Sequence, residues 1–274
     1  MGHREPGNPL QPVIATCKHF AAFDMEGSPH LNQTSRFNFD AKVSMQELAE
    51  YYLAPFKSCV DADVGAIMCS YNSINGVPAC ANEFLMQKVL REHWGWNQET
   101  KWVTSDCQAI QYMMEGHNYT HSKAETAATS LKAGTDLECG TYYEGRFAFY
   151  DELPTALNKS LVSVAHIDKA LVRLYSSLVS LGYFDPLEKQ SKESQRLRQI
   201  GWKDISVTQD DLAYKLAVES VVLVKNNGLL PLSLSTKIAL IGPWANGMSR
   251  LYCNTASPLT HRKPQHSYKA TMLE

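Results

Sequence analysis

Lys101-Trp102-Val103-Thr104-Ser105-Asp106-Cys107 is the stretch that decides how this chain is read. Trp102 to Ser105 reads as a buried strand, and an acidic residue stands where that strand should stop. On both sides β-prone runs alternate with amphipathic helical ones, the rhythm of a parallel sheet wrapped in helices. In such sheets chemistry collects at the carboxyl ends of the strands, and Asp106 occupies one. Asp also caps helices well, so position alone leaves both a chemical and a capping role open.

Working outward, Val13 to Cys17 is a β-prone run ending in Lys18-His19, and Val64 to Cys69 is a second, ending in Ser70-Tyr71-Asn72. Asn75-Gly76 and Pro78 make a turn. A further short strand is expected from Thr135 to Cys139, bearing Asp136 and Glu138. Because strand residues alternate between faces, one of those two acids can line the mouth while the other is solvated or capping.

The intervening segments carry helix signals. Ser44 to Glu47 has capping-box spacing, with Leu48, Tyr52 and Phe56 following at helical intervals and Pro55 set to kink or shorten the helix. Asn82 can cap a helix to about His93 that buries Phe84, Leu85, Val89 and Leu90. Ser122 to Glu125 repeats the capping box and Gly134 stops that helix. A long helix places Ile167, Leu171, Leu174, Leu178 and Leu181 along one face before Gly182 and Pro186. That makes four β/α units, half of the eight in a closed barrel.

The expected organisation is therefore α/β. Residues 1–186 form the C-terminal half of a (β/α)8 TIM-type barrel, and 187–207 form a polar linker without periodicity. Residues 208–274 begin a second α/β domain, with a helix from Thr208 to Ala217, a strand or buried helix end at Val221 to Val224, and a strand from Lys237 to Ile241.

Composition narrows the function. The chain has 274 residues, 44% of them apolar, enough for a substantial core. A formal charge of −2 with no basic run argues against a nucleic-acid partner, and no apolar stretch approaches a membrane span. No signal peptide is visible from Met1 to Pro12, yet sequons occur at Asn32, Asn118 and Asn158, and seven cysteines fit an oxidising compartment. These point to a secreted protein.

Successive strand ends deliver the groups a sugar site uses. Lys18 and His19 donate hydrogen bonds, Tyr71 offers a donor and a ring face, and Asp106 offers a carboxylate. Asp106 beside Lys18 would keep its charge, which suits a nucleophile better than a general acid. Singly, Lys18-His19 reads equally well as an exposed pair and Tyr71 as a core-rim residue. His117 and His121 have the spacing of a helical metal pair, but Gly116 and Asn118 make a poor helix and no third ligand is near. Neither metal nor cofactor is expected. No phosphate-cradling glycine loop and no G-x-S-x-G elbow occur.

Several runs together resemble glycoside hydrolase family 3: Ala15 to Phe20, Met68 to Pro78, Val103 to Cys107, and Ala133 to Asp136. Ser220 to Asn226, Leu229 to Leu232 and Ile241 to Asn246 resemble the start of that family's second, α/β sandwich domain. The nearest branch looks like the fungal exo-1,4-β-xylosidases, since family β-glucosidases usually carry Trp where this chain has Cys107. The resemblance implies a retaining exo-glycosidase acting on xylo-oligosaccharides in xylan degradation. Asp106 would be the nucleophile, with Lys18, His19, Tyr71 and Cys107 about the terminal sugar. Glu26 matches a family Glu of unassigned role. The family's general acid/base Glu would lie beyond residue 274, and its first barrel strands before Val13. β-Glucosidase, α-arabinofuranosidase and a non-catalytic sugar-binding remnant remain as alternatives.

Among the cysteines, Cys69 and Cys80 flank the Asn75-Gly76 turn and could close on each other. Cys107 and Cys139 follow adjacent strand ends and could bridge beside the nucleophile. Four free buried thiols are the alternative. Cys17, Cys59 and Cys253 show no evident partner.

Overall fold

The runs flagged as strands assemble in sequence order. The computed structural model describes residues 13–27, 35–140, 148–190 and 192–239. The chain divides into two compact units, Met1–Asp204 and Ile205–Glu274.

In the first unit, β1 (Thr16–Phe20), β3 (Ala66–Cys69) and β6 (Trp102–Ser105) form a parallel sheet in the order β1-β3-β6. Ala66 to Cys69 pair in unbroken register with Trp102 to Ser105, whereas β1 shifts register between Cys17 and Phe20. A second small sheet joins β2 (Asp40–Ala41), β4 (Ser73–Ile74) and β5 (Val77–Pro78). Its hairpin turns on Asn75 and Gly76, with φ of 50° and 89°, the left-handed pair that a tight two-residue hairpin requires.

The helices are α1 (Met45–Glu47), α2 (Ala54–Asp61), α3 (Ala109–Glu115), α4 (Lys123–Ala133), α5 (Leu153–Asn158), α6 (Val164–Ser180), α7 (Lys192–Gln199) and α8 (Trp202–Glu219). Ser44 and Glu47 close a reciprocal capping box on α1. Beyond it Leu48–Tyr52 winds in wide turns, Leu53 N–H reaching Leu48 O, and Pro55 opens α2 rather than kinking a continuous helix. Gly134 ends α4 at φ 115°, and a Cβ there would stand 2.5 Å from Gln87 Nε2.

Four expectations are corrected. Phe84 is exposed, because Phe84–His93 also winds in wide turns. Burial then follows a spacing of five, Leu85 with Leu90 and Met86 with Arg91. Thr135 to Cys139 gives a single bridge, Thr104 with Leu137, instead of a strand. The Asp136 carboxylate accepts the Val103 N–H that a ladder would use, and Val103 O takes the N–H of both Asp136 and Leu137. On α6 the buried residues are Ala170, Arg173 and Ser177, while Leu171 is exposed. Arg173 must face inward to reach Asp136 at 2.7 Å, and that sets the rotation of the helix.

The fourth correction lies in the second unit. Val221 to Val224 are exposed and carry no regular structure, nor do Lys237 to Ala239. A strand needs a neighbour to satisfy its main chain, and none pairs there among the described residues. Residue 240 onward lies outside them. The segment expected to be a linker holds α7 and the start of α8, and the division between units falls inside α8.

Phe20, Ile67, Leu85, Met86, Leu90, Val103, Ile110 and Met113 make the core between sheet and helices, with Trp96 donating to Val64 O at 2.9 Å. Three disulfides tie this unit: Cys69–Cys80, Cys107–Cys139, and Cys17–Cys59, which joins β1 to α2. Sequence spacing had offered no partner for Cys17 or Cys59, because only the packing of α2 on β1 brings them together. Cys253 lies outside the described residues.

Cys17–Cys59 spans 42 residues. By loop-closure entropy its removal should destabilise the protein by about 4 kcal/mol. The paired substitution Cys17→Ser and Cys59→Ser, followed by denaturant unfolding under non-reducing conditions, should show a loss of that order with the fold retained.

Candidate active site

The parallel register brings three strand ends to one place. His19 comes from the end of β1, Tyr71 from just past β3, and Asp106 from just past β6, where its N–H bonds Cys69 O at 3.0 Å. Asp106 is only 6% exposed. Its Oδ1 accepts from the Cys107 N–H at 2.7 Å and from the Tyr71 hydroxyl at 3.2 Å, and the same hydroxyl donates to Cys107 O at 2.8 Å. Oδ2 lies 3.1 Å from His19 Nε2. That imidazole is the contact of Oδ2 among the described residues.

Burial alone would raise the pKa of Asp106. The imidazole of His19, the Cys107 N–H and the Tyr71 hydroxyl outweigh it and hold the carboxyl below its ordinary 3.8. Tyr71 is pushed the other way, by burial first and then by the neighbouring carboxylate, so it remains a hydrogen-bond donor. The site therefore presents an ionised carboxylate with Oδ1 on the Cys107 N–H and the Tyr71 hydroxyl and Oδ2 against the His19 imidazole.

The side chain beside Asp106 is that of His19 and not Lys18. Neighbouring strand residues face opposite ways, and Lys18 is exposed while His19 is half-buried. Glu26 pairs with Arg36 at 2.9 Å. Arg36 lies over the rings of Phe23, Phe37 and Tyr71, 5.3 to 5.6 Å from their centroids. Sequence reading assigned Arg36 no role; the interleaving of Phe23, Arg36 and Phe37 was the available signal, and it becomes meaningful only once the loop folds over Tyr71.

Neither Asp136 nor Glu138 serves the mouth. Asp136 bonds Arg91 at 2.8 Å, Arg173 at 2.7 Å and the Val103 N–H at 2.9 Å. Val103 is near the start of β6, so this cluster sits toward the opposite end of the strand from Asp106. Both oxygens of Glu138 accept main-chain N–H groups, from Phe149 and Tyr150; burial still raises its pKa. His117 is not poised to join His121 as a metal ligand. Its Nδ1 is 2.9 Å from Ser73 Oγ and its Nε2 2.7 Å from Tyr71 O, so both ring nitrogens are engaged. Among the described residues no cluster could hold a metal ion.

Cys107 and Cys139 are joined directly after the carboxylate, and Cys139 O accepts the Gln108 N–H while Gln108 holds φ of 70°. That tether fixes the backbone that donates to Asp106. Asn118 and Asn158 are exposed, and Asn32 lies outside the described residues. No helix described is long and apolar enough to cross a membrane.

A parallel α/β sheet that presents an ionised carboxylate beside an imidazole and a phenol at its strand ends is a build that glycoside hydrolases use. The chain belongs to glycosyl hydrolase family 3: residues 3–177 match that family's N-terminal domain. It is 52% identical over 255 residues to a probable exo-1,4-beta-xylosidase of Neosartorya fischeri, covering 92% of this chain and 31% of that protein. It is 48% identical over 265 residues to the exo-1,4-beta-xylosidase of Emericella nidulans, covering 95% and 33%. The chain thus spans about a third of the length of these relatives. Among solved structures, a family 3 exo-beta-xylosidase in complex with a xylobiose aziridine activity-based probe superposes with a TM-score of 0.67 at 39% identity, covering 83% of this chain and 28% of that one. A beta-glucosidase from Erythrobacter marinus gives 0.59 at 28%, covering 81% and 28%.

His19 is the partner of Asp106 whose removal is most telling. A His19→Ala variant should titrate its Asp106 carboxyl at higher pH than the wild type, read by carbon NMR of the labelled side chain. The stability tied to the depressed constant is present above the ordinary 3.8 and is lost as pH falls through the native value. Acid unfolding curves should therefore steepen less below that pH in the variant than in the wild type.

Proposed function

We propose that this chain carries the nucleophile of a retaining exo-glycosidase that removes terminal β-1,4-linked xylose from xylo-oligosaccharides. The observation that carries the reading is the divided engagement of Asp106. Oδ1 is held by the Cys107 N–H and the Tyr71 hydroxyl, while the contact of Oδ2 among the described residues is the half-buried His19 imidazole, 3.1 Å away. In the first step Oδ2 would bond to the anomeric carbon as the glycosidic C–O bond breaks, and water would later release the sugar from the ester. His19 and Tyr71 would hold sugar hydroxyls around that carbon, and the exposed Lys18 would reach the sugar from the rim.

The half-barrel organisation belongs to the same proposal. Three parallel strands in sequence order, with helices between them, support a section of a (β/α)8 wall over residues 1–186. Residues 187–207 would connect it to the opening of a sandwich domain over 208–274. Three disulfides and two exposed sequons support a secreted setting.

Xylose is preferred over glucose on two grounds. The relatives near 50% identity bear xylosidase names, and the disulfide-bound Cys107 takes the place where family β-glucosidases usually carry Trp. Glutamates and aspartates considered as proton donor are engaged elsewhere: Glu26 with Arg36, Asp136 with two arginines, Glu138 with main-chain N–H groups. No general acid is assigned among the described residues. A chain that supplies none loses roughly 10²–10⁴ in rate, and would turn over an unactivated xylobioside at most at that fraction of an intact enzyme.

Nucleophilic attack can be tested without a general acid. A deoxyfluoro-β-xyloside carrying a dinitrophenolate leaving group should add its glycosyl mass to the wild-type chain, at a peptide containing Asp106, and leave Asp106→Ala unlabelled. The glucoside counterpart should label at least about tenfold more slowly, the discrimination that one blocked hydroxymethyl group supplies. Labelling that persists in the Asp106→Ala chain would overturn the nucleophile assignment. Equal rates on the two sugars would remove the preference for xylose.

A further inference from the structure

His117 is the chemical group of this unit that the reaction above leaves unused. It follows α3, and its N–H bonds Tyr112 O at 2.9 Å. Its half-buried ring turns back toward the loop after β3, placing Nε2 2.7 Å from the Tyr71 carbonyl and Nδ1 2.9 Å from Ser73 Oγ. A carbonyl oxygen can only accept, so the ring proton resides on Nε2. Nδ1 then offers a lone pair, and the Ser73 hydroxyl donates to it. One neutral tautomer satisfies every contact.

Burial favours that neutral form, although the bond to Tyr71 O and the nearby Asp40 carboxylate pull the other way. Asp40 is itself paired with Lys42 and accepts from the Gly76 N–H.

The consequence for the site is geometric. Tyr71 is gripped at both ends by the single stretch from Asp106 to His117. Its hydroxyl donates to Asp106 Oδ1 and Cys107 O, while its main-chain carbonyl is held by His117. Tyr112 from the same stretch stands edge-on to the Tyr71 ring at 5.9 Å. We propose that His117 is a positioning residue, holding the Tyr71 main chain so that the Tyr71 hydroxyl stays on Asp106 Oδ1 and leaves Oδ2 aimed at the sugar. Its catalytic consequence rests on Asp106 being the nucleophile; the positioning itself does not.

The test separates the two. Wild type, His117→Ala, Tyr71→Phe and the double variant are compared by two readouts: the Asp106 carboxyl titration by carbon NMR, and the rate of labelling by the deoxyfluoro-xyloside. Removing His117 should raise the Asp106 titration midpoint and slow labelling about tenfold, the scale of one hydrogen bond to a charged group. In the Tyr71→Phe background, where the hydroxyl is already gone, the same substitution should change neither readout appreciably.

An unchanged Asp106 midpoint in His117→Ala overturns the proposal, and so does an equal shift in the Tyr71→Phe background, because His117 would then act only on the fold. If the wild type fails to label while the midpoints still follow this cycle, the nucleophile assignment fails and the positioning role stands. Should His117→Ala not fold, Ser73→Ala removes the donor to Nδ1 and keeps the ring. It should shift the Asp106 midpoint in the same direction, less strongly, and no shift there counts against the proposal.

Discussion

Asp136 is buried to 5% exposure between Arg91 at 3% and Arg173 at 6%. A carboxylate so far from water is tolerable only when its oxygens are fully engaged, and these oxygens bind two guanidinium groups and the Val103 N–H. The cluster ties together the Phe84–His93 helix, α6, the start of β6 and the segment after Gly134. It also leaves one more positive than negative charge in the interior, and burial lowers Arg91 to about 10. Removing Asp136 would leave two buried guanidinium groups without their counter-charge, so the helices are held in place by electrostatic necessity as well as by apolar contact. β6 is thereby fixed at its start, and its far end delivers Asp106.

At that far end the same logic runs with fewer charges. Asp106 is nearly as buried, but its Oδ2 meets a half-buried imidazole rather than a guanidinium or a main-chain N–H. Both oxygens of Asp136 and Glu138 instead bind arginines or main-chain N–H groups. That difference in partners distinguishes Asp106 from the other two acids. Position along the sheet agrees, since Asp106 is at a carboxyl end and Asp136 bonds near an amino end. The disulfide after Asp106 and the two-ended grip on Tyr71 both act on Oδ1, the oxygen that must stay still.

Much of this was legible in the one-dimensional pattern, and the misses have specific causes. β1, β3 and β6 follow from short apolar runs that end in polar groups, a signal that needs no tertiary partner. Gly134, the Ser44–Glu47 capping box and the Ser122 N-cap are local chemistry and were readable for the same reason, although Glu125 accepts from the His121 N–H and so leaves the second box unreciprocated. Phe84 was misplaced because a helix with wide turns does not obey the ordinary period. Leu171 was misplaced because an ionic contact by Arg173, rather than the apolar stripe, set the rotation of α6. The strand at Thr135 to Cys139 failed because the Asp136 side chain competes with the main chain for the Val103 N–H, a conflict between residues far apart in sequence.

The amino-acid sequence by itself determined the alternation of strand and helix, the residues standing at the strand ends, and the family to which the chain belongs, because each is written in contiguous patterns. Only the tertiary structure decided which of those residues meet. It put His19 rather than Lys18 beside Asp106, withdrew Asp136 and Glu138 from the site, paired Cys17 with Cys59, and turned His117 onto Tyr71. Those outcomes depend on register and helix rotation, which are set by contacts between segments whose separation along the chain carries no record of their distance in space.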